Sequence, residues 1–240
     1  MGATPHKGGV AFRVWAPHAQ KVAVLGDFNK WDPAADPLES EGNGYWYANV
    51  PGAQIGQEYR FQLTTPNGEF SRIDPYARAV TNSVGNAIIY DPNAFDWQGD
   101  NFRMPNWNEL VIYEMHIGSF VPDADEEPGT FKKVLAQLDH LKRLGVNAIQ
   151  IMPVAEFAGD RSWGYNPAHI FAVESAYGGP DALKHFVREL HRNGLAVILD
   201  VVYNHFGPSD LDLWRFDGWS ENDYGGIYFY NDWRAENPWG

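Results

Sequence analysis

The sequence predicts a two-part chain, a small β-sandwich followed by a parallel α/β segment. Up to about residue 95 the text consists of short alternating apolar and polar runs cut by turn residues. Beyond it come nearly continuous apolar strands separated by stretches at helical spacing. The length, 240 residues, leaves room for one large domain or two ordinary ones. With 44% hydrophobic and 20% charged residues, the chain has the composition of a protein that buries a sizeable core.

In the first part, Val10–Trp15, Lys21–Leu25, Tyr45–Val50, Tyr59–Thr64 and Ala87–Tyr90 read as strands, with Gly-Asp, Asn-Gly and Pro-Gly turns between them. The rhythm changes after Gln98–Asn108. Leu110–Met115 reads as a strand. Phe131, Val134, Leu135, Leu138, Leu141 and Leu144 then recur at helical spacing up to Gly145, a C′ stop. Val146–Met152 is a second strand. Pro180 and Asp181 suit the first turn of a helix whose apolar face is Leu183, Phe186, Val187 and Leu190, closed by Gly194. Leu195–Val202 is the third strand, so the order is β-α-β-α-β and the sheet is parallel. From Leu211 to Gly240 the text is loop-like and crowded with rings, among them Trp214, Phe216, Trp219, Tyr224 and Tyr228, and reads as a long connection packed by its own aromatics.

Charge narrows the partners. Lys+Arg number 18 against 31 Asp+Glu, a formal net charge of −13, and such a surface repels phosphate backbones and anionic lipid. Neither nucleic acid nor a membrane is an expected partner. Zero Cys removes disulfides, thiolate metal sites and Cys nucleophiles together, and suits a reducing cytoplasm. The first ten residues carry no apolar signal core, and nothing approaches the ~18 apolar residues of a membrane helix. His6 stands where a myristoylation signal needs Ser or Thr. A soluble, unexported, cytoplasmic protein is expected.

In parallel α/β folds the working residues gather at the carboxyl ends of the strands. The third strand runs out in Asp200-Val201-Val202-Tyr203-Asn204-His205, which brings a carboxylate, an amide and an imidazole to that rim. Asp200 reads equally as a buried acid bonded to nearby amides, and His205 as a structural histidine. After the second strand comes Trp163-Gly164-Tyr165-Asn166-Pro167, where Tyr165 either presents its ring to a ligand or packs a turn. In the β region, Gly26-Asp27-Phe28-Asn29-Lys30-Trp31 reads as a turn followed by an exposed aromatic, with Trp46 on a later strand. Aromatic faces pack on the apolar faces of sugar rings while Asn and Asp reach hydroxyls; Trp15 and Trp46 read equally as core residues. No phosphate-cradling glycine motif is present.

Taken together, VWAP at 14–17, GDFNKW at 26–31, DPYARAV at 74–80, YEMHIGSF at 113–120, GVNAIQIMPV at 145–154, WGYNP at 163–167 and DVVYNHFGP at 200–208 resemble the α-amylase superfamily, glycoside hydrolase family 13, and within it the 1,4-α-glucan branching enzymes. The resemblance implies an immunoglobulin-like, glycogen-binding-type β-sandwich over 1–104. It implies that 105–240 holds the first three β/α units of a (β/α)8 TIM barrel, a fold of ~250 residues when complete. It further implies that Tyr165, Asp200 and His205 bind the glucose at the cleaved bond, Tyr165 by stacking. Asn204, Trp163 and Asn166 would be structural neighbours, although in calcium-dependent relatives the Asn of the NH pair helps hold a metal. Trp31, Asn29 and Trp46 become candidate glycan contacts of the sandwich. Expected partners are α-glucans such as glycogen, amylose and maltooligosaccharides, with no cofactor and no metal.

Retaining glycosidases of this kind use an Asp nucleophile and a Glu acid/base about 5–5.5 Å apart. The resemblance puts these on the fourth and fifth barrel strands, beyond residue 240. No catalytic residue is therefore assigned within this chain, and the chain alone is expected to be inactive. The alternatives are a maltooligosyl trehalose trehalohydrolase or another α-glucan hydrolase and, in a different class, a glycan-binding module only.

Overall fold

The structure, a computed structural model, describes residues 1–122 and 127–235. It divides into two compact units, residues 1–92 together with 208–240 and residues 93–207. The boundary read from sequence at 104/105 follows chain order, whereas packing groups the segment after Gly207 with the amino-terminal strands.

The first unit is a β-sandwich. One sheet has the order β1 (Gly2–His6), β2 (Gly9–Trp15), β5 (Tyr45–Val50), β4 (Glu39–Gly42), all antiparallel. The other runs β3 (Lys21–Gly26), β6 (Glu58–Thr65), β7 (Gly68–Arg72), with β8 (Ala87–Ile88) also pairing β6. Alternation sets the faces: Tyr59, Phe61, Leu63 and Thr65 of β6 are buried, as are Val10, Phe12 and Val14 of β2. Phe12 meets Tyr59 edge-on with ring centres 5.1 Å apart, which joins the two inner faces. Under this layer Tyr59 donates its hydroxyl to the fully buried Asp74 at 2.5 Å. Burial raises the Asp74 carboxyl to about 6.

The aromatic segment after residue 207 is not packed by its own rings alone. Asp217, fully buried, accepts from the His18 backbone N–H at 3.0 Å, the His18 ring at 2.9 Å and the Trp219 N–H at 3.2 Å. Trp219 stacks flat on His18, centres 4.5 Å apart. Asp212 accepts from Arg60 at 2.6 Å and from the Ile73 N–H at 2.7 Å. Arg72 donates to the carbonyls of Phe216 and Arg215. Carboxylates and carbonyls thus tie the segment to β2's exit and to β6–β7. Residues 236–240 of the aromatic stretch lie outside the described residues.

The second unit carries three parallel strands, β9 (Ile112–Met115), β10 (Ala148–Ile151) and β13 (Ala196–Leu199), in the order β13-β10-β9. Each lies inside the apolar run that predicts it. The single helix expected from Phe131 to Leu144 is instead two, α2 (Phe131–Leu135) and α3 (Leu138–Arg143). At the break the Gln137 N–H bonds back three residues to Val134, a tightened 3₁₀ step that offsets the second helix. The later helix, α4 (Gly179–Arg192), has Pro180 and Asp181 in its first turn and buries Phe186 and Leu190. These join Met115, Ile117, Phe131, Ile149 and Tyr177 in one core. Between β10 and α4 stands an antiparallel hairpin that the sequence does not announce, β11 (Ala155–Phe157) and β12 (Pro167–Val173). A short helix, α1 (Ile117–Phe120), follows β9. Among the described residues no helix is long and apolar enough to cross a membrane.

Candidate active site

The carboxyl ends of β10 and β13 bring Tyr165, Asp200 and His205 together. β13 ends at Leu199, and the next residue, Asp200, is fastened by its N–H to the Ile151 carbonyl at 3.0 Å, which fixes where its side chain starts. Tyr165 sits at the tip of the β11–β12 hairpin, 40% exposed, and donates its hydroxyl to Asp200 Oδ2 at 2.6 Å. That bond, with some burial and the negative charges of Asp200 and Glu114, pushes the phenol up to about 12. The His205 Nε2–H donates to the Tyr165 carbonyl at 2.7 Å, while Asn204 Nδ2 donates to His205 Nδ1 at 2.8 Å. A carbonyl can only accept, so Nε2 carries a hydrogen.

The turn that holds Tyr165 is built tightly. Gly164 has φ +87°, and a Cβ there would lie 2.1 Å from the Pro153 carbonyl oxygen, so the position admits only glycine. Ser162 Oγ accepts the Gly164 N–H at 3.0 Å and donates to Asn166 Oδ1. On the far side the Gly207 N–H bonds to the Pro167 carbonyl at 2.9 Å. Asn166 is accordingly a turn-holding residue, and Asn204 orients the imidazole. Trp163, beside them, is 70% exposed.

Two polar residues near this rim escape the sequence reading. Glu114 on β9 and Gln150 on β10 are register partners joined by a 3.2 Å hydrogen bond, and the Glu114 charge is felt at Tyr165. A Glu inside the apolar run Val111–Met115 is the signal that could have found them. Two further acids, Glu156 on β11 and Glu174 just after β12, are both essentially unexposed. Burial and the neighbouring Glu174 charge raise Glu156 to about 8; burial raises Glu174 to about 7. Their oxygens accept from Ser175, Phe157 and Ala176, so they brace the hairpin against the start of α4. Among the described residues no group of three or more His, Asp or Glu could hold a metal, and the Asn204 amide is engaged by His205.

In the sandwich unit, the Gly26–Trp31 turn is closed by Asn29. Its Oδ1 accepts the Gly26 N–H at 2.9 Å, and its Nδ2 donates to the Val24 carbonyl at 3.0 Å and to Asp36 at 2.8 Å. Both ends of that amide belong to the turn. Trp31 is half-buried and anchored by Nε1 to Asp27 at 3.1 Å. Trp46, half-buried, is paired with the buried Val14 and donates to the Ala16 carbonyl at 3.0 Å, on the inner side of its sheet.

The chain is thus two modules, a β-sandwich and, in a second unit, three parallel strands with Tyr165, Asp200 and His205 beyond their carboxyl ends. Residues 1–77 match the family Carbohydrate-binding module 48 (Isoamylase N-terminal domain), and residues 76–233 match Alpha amylase, catalytic domain. The chain belongs to the α-amylase family. It is 38% identical over 218 residues to the 1,4-alpha-glucan branching enzyme GlgB of Picrophilus torridus, covering 90% of this chain and 31% of that protein. It is 37% identical over 233 residues to the malto-oligosyltrehalose trehalohydrolase of Saccharolobus solfataricus, covering 97% of this chain and 37% of that protein. A pullulanase structure from Bacillus acidopullulyticus superposes with a TM-score of 0.72 at 30% identity, covering 88% of this chain and 31% of that one. The chain thus spans about a third of the length of these relatives.

Proposed function

We propose that this chain supplies the glycan-binding sandwich and the glucose-holding wall of a 1,4-α-glucan branching enzyme, which cleaves an α-1,4 bond and transfers the freed chain to a 6-hydroxyl through a covalent, retaining mechanism. The observation that carries the reading is the Tyr165–Asp200–His205 constellation. A sugar ring stacked on the exposed face of Tyr165 would place its hydroxyls near Asp200, whose Oδ1 has no protein partner among the described residues. The rigid clamp on both sides of Tyr165 suits a site whose geometry is set before substrate arrives. Nucleophile and acid/base belong to strands that follow these three in the family's barrel, so residues 1–240 bind without turnover. Trp31, held at the edge of a stiff turn, is the sandwich's ring for a glycan; Asn29 shapes that turn and Trp46 braces the sheet behind it. The absence of cysteine from the chain suits a cytoplasmic setting for glycogen chemistry.

A second reading, hydrolytic release of trehalose from maltooligosyl trehalose, is favoured by the comparable identity to the S. solfataricus enzyme. Debranched chain-length analysis after incubating amylose with an enzyme that carries this chain ahead of a complete barrel tests the proposal. New α-1,6 branches support it; reducing ends or trehalose without branches overturn it.

A further inference from the structure

The segment Tyr113–Phe120, which brings Glu114 near the rim, also carries a histidine that reaches the site. His116 follows β9 and uses both ring nitrogens: Nδ1 lies 2.9 Å from Ser119 Oγ, and Nε2 lies 2.8 Å from the Ser162 carbonyl and 3.0 Å from the Tyr177 hydroxyl. The carbonyl can only accept, so Nε2 carries a hydrogen. Tyr177 is buried in the core with Phe131 and Phe157 packed edge-on against its ring. The Gly118 N–H supports its oxygen. A continuous path therefore runs from the core through Tyr177 and His116 to Ser162, the residue whose hydroxyl closes the turn onto Gly164 and Asn166.

We propose that His116 is a positioning residue for Tyr165: it pins Ser162, the near anchor of the 162–166 turn, and so holds the Tyr165 hydroxyl against Asp200. His205 pins the same turn from the opposite side through the Tyr165 carbonyl. With His116 on the Ser162 carbonyl, His205 on the Tyr165 carbonyl and Gly164 packed on Pro153, the turn is held at three points. In its consequence for ligand binding the proposal rests on the reading of Tyr165 as a glucose-stacking residue; in its consequence for geometry it does not.

The two are separable in one experiment on the 240-residue chain, labelled at the tyrosine Cζ, with the Tyr165 resonance assigned by its loss in Tyr165→Phe. In the unsubstituted protein Tyr165 is expected to titrate about two units above an ordinary phenol. His116→Phe keeps a planar aromatic ring and removes all three hydrogen bonds; it is expected to bring that midpoint down by about one unit or more and to weaken maltopentaose binding about tenfold. His116→Gln, whose amide N–H can reach the Ser162 carbonyl, is expected to restore both to within about threefold of the unsubstituted chain. An unchanged Tyr165 midpoint in a folded His116→Phe chain overturns the proposal, as does a Gln variant no better than Phe. If neither variant folds, slow amide exchange at Gly164 in the unsubstituted chain supports the clamp and free exchange refutes it. No maltopentaose binding by the unsubstituted chain would remove the glucose-binding reading and leave the titration to decide the clamp.

Discussion

Tyr165 and Asp200, 35 residues apart in sequence, meet through a 2.6 Å hydrogen bond in which the phenol donates and the carboxylate accepts. The two come from segments after different parallel strands, so the bond measures how the β11–β12 hairpin is set against the end of β13. If the ring face is what holds a sugar, deleting the hydroxyl and deleting the ring must differ. Tyr165→Phe is expected to weaken maltopentaose binding by roughly threefold and Tyr165→Ala by more than about tenfold, as read by calorimetric titration, because ring stacking contributes more than one exposed hydrogen bond. Equal losses would contradict this assignment.

Glu156 and Glu174 make the second unit sensitive to alkali. Their folded-state values, about 8 and about 7, lie above the ordinary 4.5, so the stability they contribute is complete below about pH 4.5 and is lost as pH rises through 7 and 8. Hydrogen exchange at the β9, β10 and β13 amides should accelerate between pH 6 and 9 beyond its intrinsic pH dependence. Glu156→Gln, which stays neutral, should flatten that slope and slow exchange at the alkaline end. The same slope in the variant would show that another group is responsible.

Asp217, fully buried, fastens the segment after Gly207 by accepting two hydrogen bonds from His18, and accepts a third from the Trp219 N–H within the segment. Asp217→Ala leaves the His18 N–H without its partner and should cost about 2–4 kcal/mol of local stability. Trypsin cleavage after Arg215 is the readout, expected to speed up many-fold while the amides of β2 and β6 stay protected.

On the sandwich, Trp31 and Trp46 are expected to separate. Trp31→Ala should abolish retention of the chain by glycogen in co-sedimentation, with the melting temperature little changed. Trp46→Ala should instead lower the melting temperature, since its ring lies beside buried Val14 and its N–H meets the Ala16 carbonyl. Retention by the Trp31 variant equal to that of the unsubstituted chain would count against a glycan role for that ring.

The three parallel strands are legible in the sequence because each lies inside a mainly apolar run, Leu110–Met115, Val146–Met152 and Leu195–Val202, broken only by Glu114, by Asn147 and Gln150, and by Asp200. Strands that bury little leave no such trace. β4 is Glu-Ser-Glu-Gly with every residue exposed, and β1 contains Pro5, which an edge strand tolerates; neither carries an alternating pattern to read. The split of the α2–α3 helix is equally silent, since Ala136 and Gln137 are good helix formers. Asp200, His205 and Tyr165 are legible as residue types at strand ends and by resemblance. The hydrogen bonds around them, from His116 to the Ser162 carbonyl and from Ser162 to Gly164 and Asn166, join segments that no local pattern brings together, whereas Glu114 is marked by its place inside an apolar run. The docking of 208–235 is hidden for the same reason: its anchors, Asp212 and Asp217, are ordinary loop acids until their partners Arg60 and His18 are in place.

The central claim is that an α-glucan is held at the carboxyl ends of the parallel strands by Tyr165, Asp200 and His205. Amide and side-chain chemical-shift mapping of the 240-residue chain titrated with maltopentaose tests it most directly. Saturable shifts centred on Tyr165, Asp200 and His205 are expected, lost in Asp200→Ala, in addition to any shifts around Trp31. Saturable shifts confined to the sandwich, with the strand-end residues unmoved, would contradict it.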